Sequence, residues 1–539
     1  MTDASGTIVA TMQAAPSGMS AAGATLAEFA SVAERPASGA FVEAIPIGFA
    51  RRHGMLGLDG GPGVVFLAIR DPRQLDLSET VARRLGVSVR LVHATDEQVQ
   101  AAINRAYEQR EGEVSEVVAA IDPSERAAVL AELQGATASD DLLDSSGRSP
   151  VIKLVNLLLA EAVRAQASDV HVQPYEHHVV ARMRIDGVLY DTFELPKAIQ
   201  EETISRIKVM ARMDIAEKRL PQDGRVPVRV GDRAIDLRVS TLPTNFGERV
   251  VIRLLDKSRG LLSLDDLQLP EKTDAAFRGM IHGEHGILLV TGPTGSGKTT
   301  TLYAALAEAD GRSRNILTIE DPIEYHFDGI SQTQVNVKKG MTFANGLRSV
   351  LRQDPDIIMV GEIRDQETAE ISIQAALTGH LVLSTLHTND ASSAVTRLLD
   401  LNIEPYLVAS SVVGVAAQRL LRRVCPDCRQ SHVPDDRDRA ALHRLGEVPE
   451  ALDLGRLSRG VGCEACRNTG YRGRQAIFEL LPVNGTVRDL VQQRANASTI
   501  KAEAVRLGMT TLHDDAMRLM LAGQTTIDEL LRVATRSGL

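Results

Sequence analysis

A glycine-rich loop between a short apolar strand and a helix constrains the fold of this chain more than any other feature. The segment GPTGSGKTT, residues 292–300, fits the pattern G-x-x-x-x-G-K-[ST]. Residues 286–290 (GILLV) predict a buried strand, and residues 299–309 predict a helix with apolar side chains at helical spacing. Backbone N–H groups and the positive end of the helix dipole would converge there on an anion. The chain is therefore predicted to bind a nucleoside triphosphate.

The residue types in this loop suggest separate roles in holding the nucleotide. Lys298 supplies a mobile cation for the β- and γ-phosphates, and the Thr299 hydroxyl is placed to reach Mg²⁺. The predicted nucleotide-binding residues are Gly292, Pro293, Thr294, Gly295, Ser296, Gly297, Lys298, Thr299 and Thr300.

Composition and charge disfavour other classes of protein. The net charge of -10 argues against nucleic acid as the main partner, and 3% aromatic residues with no Trp leave few stacking platforms for single strands. No apolar run approaches the length of a membrane span, and the N-terminus lacks the basic and apolar regions of a secretory signal. We expect a cytoplasmic protein without transmembrane helices.

A length of 539 residues favours three or four domains, and the changes in composition suggest where they lie. Residues 151–166 show apolar side chains on one helical face, and alternating strands follow them, which predicts α+β structure with a largely antiparallel sheet. Alternating strands and helices around the glycine-rich loop predict a mostly parallel sheet. The predicted segments are a flexible tail at 1–40, a small α/β docking module at 41–110, a linker at 111–148, the α+β domain at 149–260, the nucleotide-binding core at 261–420, a cysteine module at 421–482 and a helical C-terminus at 483–539.

Acidic residues follow two further strands of the predicted parallel sheet. Glu320, Asp321 and Glu324 come directly after the strand at 315–319, where a carboxylate could orient a water for phosphoryl transfer or help to hold the metal. Asp356 begins the next strand and Glu362 ends it, so Glu362 is the one assigned to the Mg²⁺ and γ-phosphate side.

Three other side chains near these strands have open roles. Arg364 could contact phosphate or pair with an acid, and both interpretations fit equally. His387 follows the third strand, where a neutral imidazole could hydrogen-bond the γ-phosphate or the attacking water. His380 precedes that strand, and a structural role or a contact with a neighbouring subunit fits it better.

All four cysteines of the chain lie in two C-x-x-C pairs, Cys425 with Cys428 and Cys463 with Cys466. In a reducing compartment this pattern indicates metal ligands rather than disulfides. Two such pairs can supply four thiolates in tetrahedral geometry, which is the preference of structural Zn²⁺.

The glycine-rich loop and the segments around the three strands that follow it, taken in this order, resemble the conserved motifs of the secretion ATPase superfamily. Members of this superfamily drive type II secretion and type IV pilus assembly and retraction. The resemblance rests on GPTGSGKTT, EDPIEY (320–325), VGEIRD (360–365) and TGHLVLSTLHTND (378–390). It extends upstream through SDVHVQP (168–174) and DLRVSTLPTNFGERVVIRLLD (236–256), and it covers about Ser168 to Thr526.

The resemblance implies a RecA-like ATPase domain, preceded by a PAS-like α+β domain and a small N-terminal docking domain, with a structural zinc at the four cysteines. Among relatives, assembly motors carry this zinc module and retraction motors lack it.

The resemblance also implies how such a chain works. It predicts a homohexamer that binds ATP with Mg²⁺ between subunits, with Arg219, Arg225 and Arg238 as candidates to stabilise charge on the transferring phosphoryl group. Each of these arginines fits a salt bridge on the sheet surface equally well. The segment EDPIEY (320–325), here called the acidic box, would contain the catalytic base, for which Glu324 is preferred and Glu320 is the second candidate. Glu362 and His387 complete the predicted catalytic set.

The early segment AIPIGFARRHGML (44–56) resembles the N-terminus of the type II secretion E component, whose first domain docks onto a bitopic inner-membrane protein. Residues 50–56 could belong to such a docking surface or to the edge of a core helix. The predicted partners are that bitopic protein, an inner-membrane platform protein and further copies of the chain, at the cytoplasmic face of the inner membrane. No nucleic-acid partner is expected.

Two functions fit this resemblance, and two others fit the residues less well. A type II secretion ATPase is favoured over a type IV pilus assembly ATPase because GFARRHGML (48–56) and the compact segment at 226–243 are more similar to the former. A DNA translocase is disfavoured by the acidic balance and the scarcity of aromatic residues. A scaffold that does not hydrolyse ATP is disfavoured by the complete acidic and phosphate-binding boxes.

Overall fold

A computed structural model describes residues 9–12, 35–45, 47–61, 63–70, 75–109, 150–230, 233–256, 260–309, 313–446 and 457–533. The chain divides into two compact units, residues 1–259 and 260–539. In the described residues no helix combines the length and the apolar character needed to cross a bilayer. The predicted linker at 111–148 lies outside the described residues.

The first unit begins with a four-stranded sheet. Its strands are β1 (Val9–Met12), β2 (Met55–Asp59), β3 (Val64–Ile69) and β4 (Ser88–His93), in the order β1-β4-β3-β2. Strands β3 and β4 are parallel, and the other two pairs are antiparallel. The helices are α1 (Gly39–Ala44), α2 (Ile47–His53), α3 (Leu75–Leu85) and α4 (Asp96–Gln109). The predicted small α/β module is therefore present.

The boundary of this module differs from the prediction. Residues 9–12 pair with β4, Ala37 forms a bridge with Leu58, and Ser38 accepts a hydrogen bond from the N–H of Phe41 at the start of α1. The flexible tail predicted for residues 1–40 is thus wrong for 9–12 and 35–40, because backbone pairing and a helix cap hold them. The segment at 50–56 buries Ala50, Met55 and Leu56, which favours the interpretation as a core edge.

A second sheet in the first unit is antiparallel throughout, as predicted. It follows α5 (Pro150–Arg164) and contains β5 (Asp169–Pro174), β6 (His178–Ile185), β7 (Val188–Pro196), β8 (Gln222–Val230), β9 (Arg233–Thr244) and β10 (Gly247–Asp256). The strand order is β7-β6-β5-β10-β9-β8, and α6 (Gln200–Met210) joins β7 to β8. The apolar face of α5, the buried residues of α6 and the sheet form one core.

The second unit is built on a seven-stranded, mostly parallel sheet. Its strands are β11 (Gly286–Thr291), β12 (Ile316–Glu320), β13 (Ser331–Gln334), β14 (Ile357–Val360), β15 (Leu381–Leu386), β16 (Val412–Val424) and β19 (Tyr471–Pro482), in the order β13-β12-β14-β15-β11-β16-β19. Only the β16–β19 pair is antiparallel. Strand β11 is buried on both faces: Ile287 and Leu289 belong to one core cluster, and Leu288 and Val290 to another.

Helices cover both faces of this sheet, as expected for parallel strands. They are α7 (Glu271–Ile281), α8 (Lys298–Glu308), α9 (Phe343–Val350), α10 (Gln366–Leu377), α11 (Ala391–Asp400) and α12 (Pro405–Ser411). Helices α7 and α8 contribute to the cluster of Leu288, whereas α9 to α12 contribute to the cluster of Ile287.

The cysteine segment is an insertion between β16 and β19 of the main sheet. It contains β17 (Arg429–His432), α13 (Asp436–Arg444) and β18 (Leu457–Gly460), and β17 pairs with β18. Strand β16 runs to Val424, and β19 returns to pair with it from Tyr471. The predicted module boundaries of 421 and 482 are therefore wrong, because residues 421–424 and 471–482 are strands of the main sheet.

The C-terminal helices also belong to the main core. They are α14 (Gly485–Gln492), α15 (Ala497–Arg506), α16 (Leu512–Leu521) and α17 (Ile527–Val533), and their buried side chains join the cluster of Ile287. The fully buried carboxylate of Glu479 on β19 accepts hydrogen bonds from the N–H groups of Ala391 (3.0 Å) and Leu512 (3.3 Å). Lys501 on α15 lies 3.3 Å from the same carboxylate. The described part of the predicted helical segment at 483–539, up to residue 533, thus packs as part of the nucleotide-binding unit.

Candidate functional site

The glycine-rich loop joins β11 to α8, as its sequence predicts. Gly292, Gly295 and Gly297 all have positive φ angles (154°, 80° and 92°). A Cβ atom on Gly292 would lie 2.6 Å from the backbone oxygen of Gln418, so no larger residue fits without movement of the loop. Gly297 precedes α8, and no side chain caps this helix. Its first N–H groups are left for an anion.

Lys298 bends back over the loop that it follows. Its ammonium group donates to the backbone oxygens of Gly292 (2.8 Å) and Pro293 (3.1 Å). Burial lowers the pKa of Lys298 to about 8, Glu362 opposes the shift, and Arg419 adds to it. The lysine therefore lies close to both an acid and a second cation. In the rest of the loop Pro293, Thr294, Gly295, Thr299 and Thr300 are exposed, whereas Ser296 is buried.

Glu362 lies at the end of β14, with its side chain only 13% exposed. One carboxylate oxygen pairs with Arg364, and the other lies 3.2 Å from Nε2 of His387. The hydrogen bond from Arg364 to Glu362 raises the pKa of that arginine, and the charge of Asp321 adds to the effect. The structure thus brings together acids and a histidine from the ends of β12, β14 and β15, and it pairs Arg364 with an acid.

Two other residues lie at the opposite edge of the sheet. Asp356, before β14, accepts a hydrogen bond from the N–H of Asn315 before β12. His380, before β15, places Nδ1 2.8 Å from the backbone oxygen of Ala375. Parallel strands carry these two side chains away from the glycine-rich loop, which agrees with the choice of Glu362 and with a structural role for His380.

The acidic box separates into residues with different surroundings. Glu320 is buried at the end of β12, where it accepts hydrogen bonds from Thr318 Oγ1 (2.6 Å), Gln332 Nε2 (3.0 Å) and the hydroxyl of Tyr303. Glu324 is partly buried four residues later, and its N–H donates to Tyr303 Oη at 3.2 Å. Asp321 is exposed. The two candidate bases therefore differ in their access to solvent.

Strand β16 contributes two residues that the sequence analysis missed. Gln418 is buried, and its Oε1 accepts from Thr301 Oγ1 on α8 (2.8 Å). Arg419 donates to the backbone oxygen of Gln418 (3.1 Å) and to that of Asn389 (2.7 Å). Burial lowers the pKa of Arg419. Since β16 lies beside β11, this arginine joins β16 to the segment that follows β15, and its charge acts on Lys298 of the glycine-rich loop. No charge pattern or motif in the sequence singles it out.

The predicted arginines of the first unit occupy different surroundings. Arg219 is in an exposed loop, 3.5 Å from a carboxylate oxygen of Glu217. Arg225 on β8 pairs with Asp236, and it lies directly opposite Arg238 on β9.

The cross-strand register extends this basic row. Arg238 also lies opposite Arg253 on β10, and Arg253 donates to Asp169 on β5 at 3.1 Å. Residues directly opposite each other share a face of the sheet. The row Arg225–Arg238–Arg253 is therefore a basic stripe, and Arg253 is a member that the sequence analysis did not single out.

The four cysteines converge, as their spacing predicts. Their sulfur atoms all lie within 4.8 Å of one another, and the distances Cys425–Cys463, Cys428–Cys466 and Cys463–Cys466 are 3.9, 3.8 and 3.7 Å. A Zn–S bond of about 2.3 Å implies a sulfur–sulfur edge of about 3.8 Å in a tetrahedron. These distances are far too long for disulfides. The N–H groups of Cys463 and Gly470 also point to Cys466 Sγ, at 3.2 and 3.3 Å. The donor set and its spacing fit Zn²⁺.

Comparisons with known proteins agree with this geometry. Residues 144–532 match the family model described as Type II/IV secretion system protein, and residues 27–113 match the MshEN domain. The chain is 46% identical over 489 residues to the type II secretion system protein E of Pseudomonas aeruginosa, covering 91% of this chain and 96% of that protein. It is 49% identical over 399 residues to the type II secretion system ATPase E of Vibrio cholerae, covering 74% and 78%.

A solved structure supports the fold. The ATPase DotB of Legionella pneumophila matches with a TM-score of 0.53 and 21% identity, covering 74% of this chain and 99% of that one. The predicted architecture, with a parallel-sheet ATPase core after an α+β domain and a small N-terminal domain, is confirmed, as is the resemblance on which it was based. The chain belongs to the family of type II/IV secretion system proteins.

Proposed function

We propose that this chain is the ATPase of a type II secretion system, which hydrolyses ATP to power pseudopilus assembly and protein export. The observation that carries the proposal is the meeting of Glu362 and His387 at the ends of two parallel strands, with Glu362 acting electrostatically on Lys298 of the glycine-rich loop. Relatives named type II secretion system protein E, which match over nine-tenths of this chain, favour secretion over pilus assembly.

Each group at the site has a role that its surroundings support. The uncapped start of α8 and the ammonium of Lys298 bind the triphosphate, and the lysine exchanges its contacts with Gly292 and Pro293 for phosphate oxygens. Thr299 and Glu362 would hold Mg²⁺, which supplies positive charge to the β- and γ-phosphates when bound. Hydroxyl and carboxylate oxygens are suitable ligands for this ion.

Glu324 is the preferred base for the attacking water. The carboxylate of Glu320 is buried and accepts three hydrogen bonds, so it is poorly placed to take a proton from a water molecule. Glu324 is partly exposed in the same loop. His387, held by Glu362, is placed to donate to the γ-phosphate or to the water.

The basic stripe Arg225–Arg238–Arg253 supplies candidates for contacts with a neighbouring subunit's nucleotide in a homohexamer. Three cations in register on one face of a sheet favour an anionic partner, although Arg225 and Arg253 also have acidic partners of their own. Arg219, exposed in its loop, remains a separate candidate. Loss of an arginine that acts in this way should lower turnover more than nucleotide binding.

The remaining parts of the proposal concern assembly and location. The four cysteines would hold a structural Zn²⁺, because four thiolates leave no open coordination position for a substrate. The N-terminal module would dock onto a bitopic inner-membrane protein, and the ring would act on the inner-membrane platform protein from the cytoplasmic face. The MshEN match at residues 27–113 supports an interaction role for this module.

Deletion and complementation in the organism of origin test the function. Loss of the gene should stop export of secreted proteins while surface pili persist, and the wild-type gene should restore export. Lys298→Ala should not restore it, whereas Lys338→Ala, at an exposed lysine of the same unit, should. Normal export with loss of pili in the deletion strain would instead identify the chain as the pilus assembly ATPase.

A further inference from the structure

A buried tyrosine connects the phosphate-binding helix to the acidic loop. Tyr303 lies on α8, five residues after Lys298, and it is only 2% exposed. Its hydroxyl donates to a carboxylate oxygen of Glu320 and accepts from the N–H of Glu324 at 3.2 Å. One atom of the helix that binds phosphate thus contacts both candidate bases of the acidic box.

Gln332 and the ring of Tyr303 hold the rest of the loop that contains Glu324. Gln332 donates to Glu320 (3.0 Å) and to the backbone oxygen of Tyr325 (3.0 Å), and it accepts from the N–H of Phe327 (3.0 Å). The ring of Tyr303 contacts Tyr325 and Phe327 edge to face, with centroid distances of 6.1 and 5.1 Å. The loop that contains Glu324 is therefore fixed by hydrogen bonds and by aromatic packing.

The hydroxyl of Tyr303 can act as this link over a wide pH range. Burial raises the pKa of Tyr303, and the hydrogen bond to Glu320 raises it further. The phenol consequently stays protonated at neutral pH, and it retains one proton to donate and lone pairs to accept. A tyrosine that served only to fill the core would need no such pair of partners, since phenylalanine fills almost the same space.

We propose that Tyr303 is a positioning residue for hydrolysis: its hydroxyl sets the position of the Glu324 backbone relative to the glycine-rich loop. This inference rests on the proposed function, because it requires Glu324 to act on a water beside the bound triphosphate. Movement of α8 on nucleotide binding would reach the Glu324 backbone through this hydroxyl, while the ring of Tyr303 keeps its contacts with Tyr325 and Phe327. Glu320 then acts as an anchor for Tyr303 rather than as a base.

Tyr303→Phe in the full-length protein tests the inference. The ring contacts remain, but both hydrogen bonds are lost, so we expect kcat to fall on the order of 10- to 100-fold. The Kd for ATP should stay within about twofold, since the phosphate-binding groups are unchanged. Thr318→Val is the matched control: it removes a different donor to Glu320 and leaves the link to Glu324, so kcat should fall less than about threefold.

A double-mutant comparison separates positioning from a general loss of structure. If Tyr303 acts through Glu324, Tyr303→Phe should change kcat by less than about twofold when Glu324→Gln is already present. An equal fractional loss in both backgrounds, a wild-type kcat for Tyr303→Phe, or a parallel loss of ATP binding would overturn the inference. Wild-type protein that releases no more phosphate than Lys298→Ala would instead refute the proposed function.

Discussion

The pH dependence of ATP binding follows from the surroundings of Lys298. Burial lowers the pKa of this lysine from 10.5 to about 8 in the nucleotide-free protein, although the charge of Glu362 opposes the shift. A bound triphosphate adds several negative charges next to the ammonium group, and these charges favour its protonated form. The pKa of Lys298 should therefore rise when ATP binds, and binding above pH 8 should take up a proton.

This linkage fixes the size and the sign of the effect. Below about pH 8 the lysine is already charged, so the Kd for ATP should be nearly constant. Well above pH 8 the Kd should rise about tenfold per pH unit, which makes binding roughly 30-fold weaker at pH 9.5 than at pH 7.

Folding stability changes in the opposite direction. Between about pH 8 and 10.5 Lys298 binds more protons in the unfolded chain than in the folded one, so the contribution of Lys298 to the free energy of unfolding increases with pH.

Equilibrium titration with a fluorescent ATP analogue across this pH range measures the effect. Lys298→Arg is the matched control, because a guanidinium group stays charged throughout the range and its Kd should show no upturn near pH 8. A wild-type Kd that stays flat to pH 9.5 would refute the reasoning. An identical upturn in Lys298→Arg would assign the titration to another group.

Three further predictions concern the glycine-rich loop, the cysteines and the buried carboxylate of the core. Gly292→Ala should weaken nucleotide binding about tenfold or more, because the added Cβ would lie 2.6 Å from the backbone oxygen of Gln418. Gly485→Ala is the control: no atom lies within 4 Å of the added Cβ, so this variant should bind nucleotide normally in the same titration. Cys428→Ser should lower the zinc content measured by atomic absorption and also the melting temperature, and unchanged zinc would contradict the assigned site. Glu479→Gln should destabilise the second unit by about 2 kcal/mol, because the N–H group at the start of one of two helices, at Ala391 or Leu512, loses its acceptor. Calorimetry should show a melting temperature lower by several degrees. An unchanged transition would contradict the role of this carboxylate.

The sequence was most informative where a short segment carries both structure and chemistry. The strand, glycine turn and helix at 286–309 predict one another, since a glycine-rich loop of this pattern requires both neighbours. The choice of Glu362 over Asp356 followed from the direction of a parallel strand alone. The cysteine pairs converge as expected, because two C-x-x-C pairs are the spacing that brings four thiols to one metal ion.

The residues that sequence analysis missed depend on contacts between distant segments. Tyr303 has the spacing of an ordinary core residue of α8, and only the packing of α8 on the sheet places its hydroxyl beside Glu320 at the end of β12. Arg419 acquires its position from the pairing of β16 with β11, and Arg253 from the register of β9 and β10. The module boundary at 482 failed for the same reason: β19 returns to the main sheet after the cysteine insertion.

The most direct test of the account is phosphate release by the purified chain as its concentration is raised, with Lys298→Ala measured in parallel. A site completed between subunits predicts that turnover per chain increases with concentration and that Lys298→Ala releases no phosphate. Turnover per chain that is independent of concentration would contradict a site shared between subunits. Equal phosphate release by wild type and Lys298→Ala would contradict the assignment of the glycine-rich loop itself.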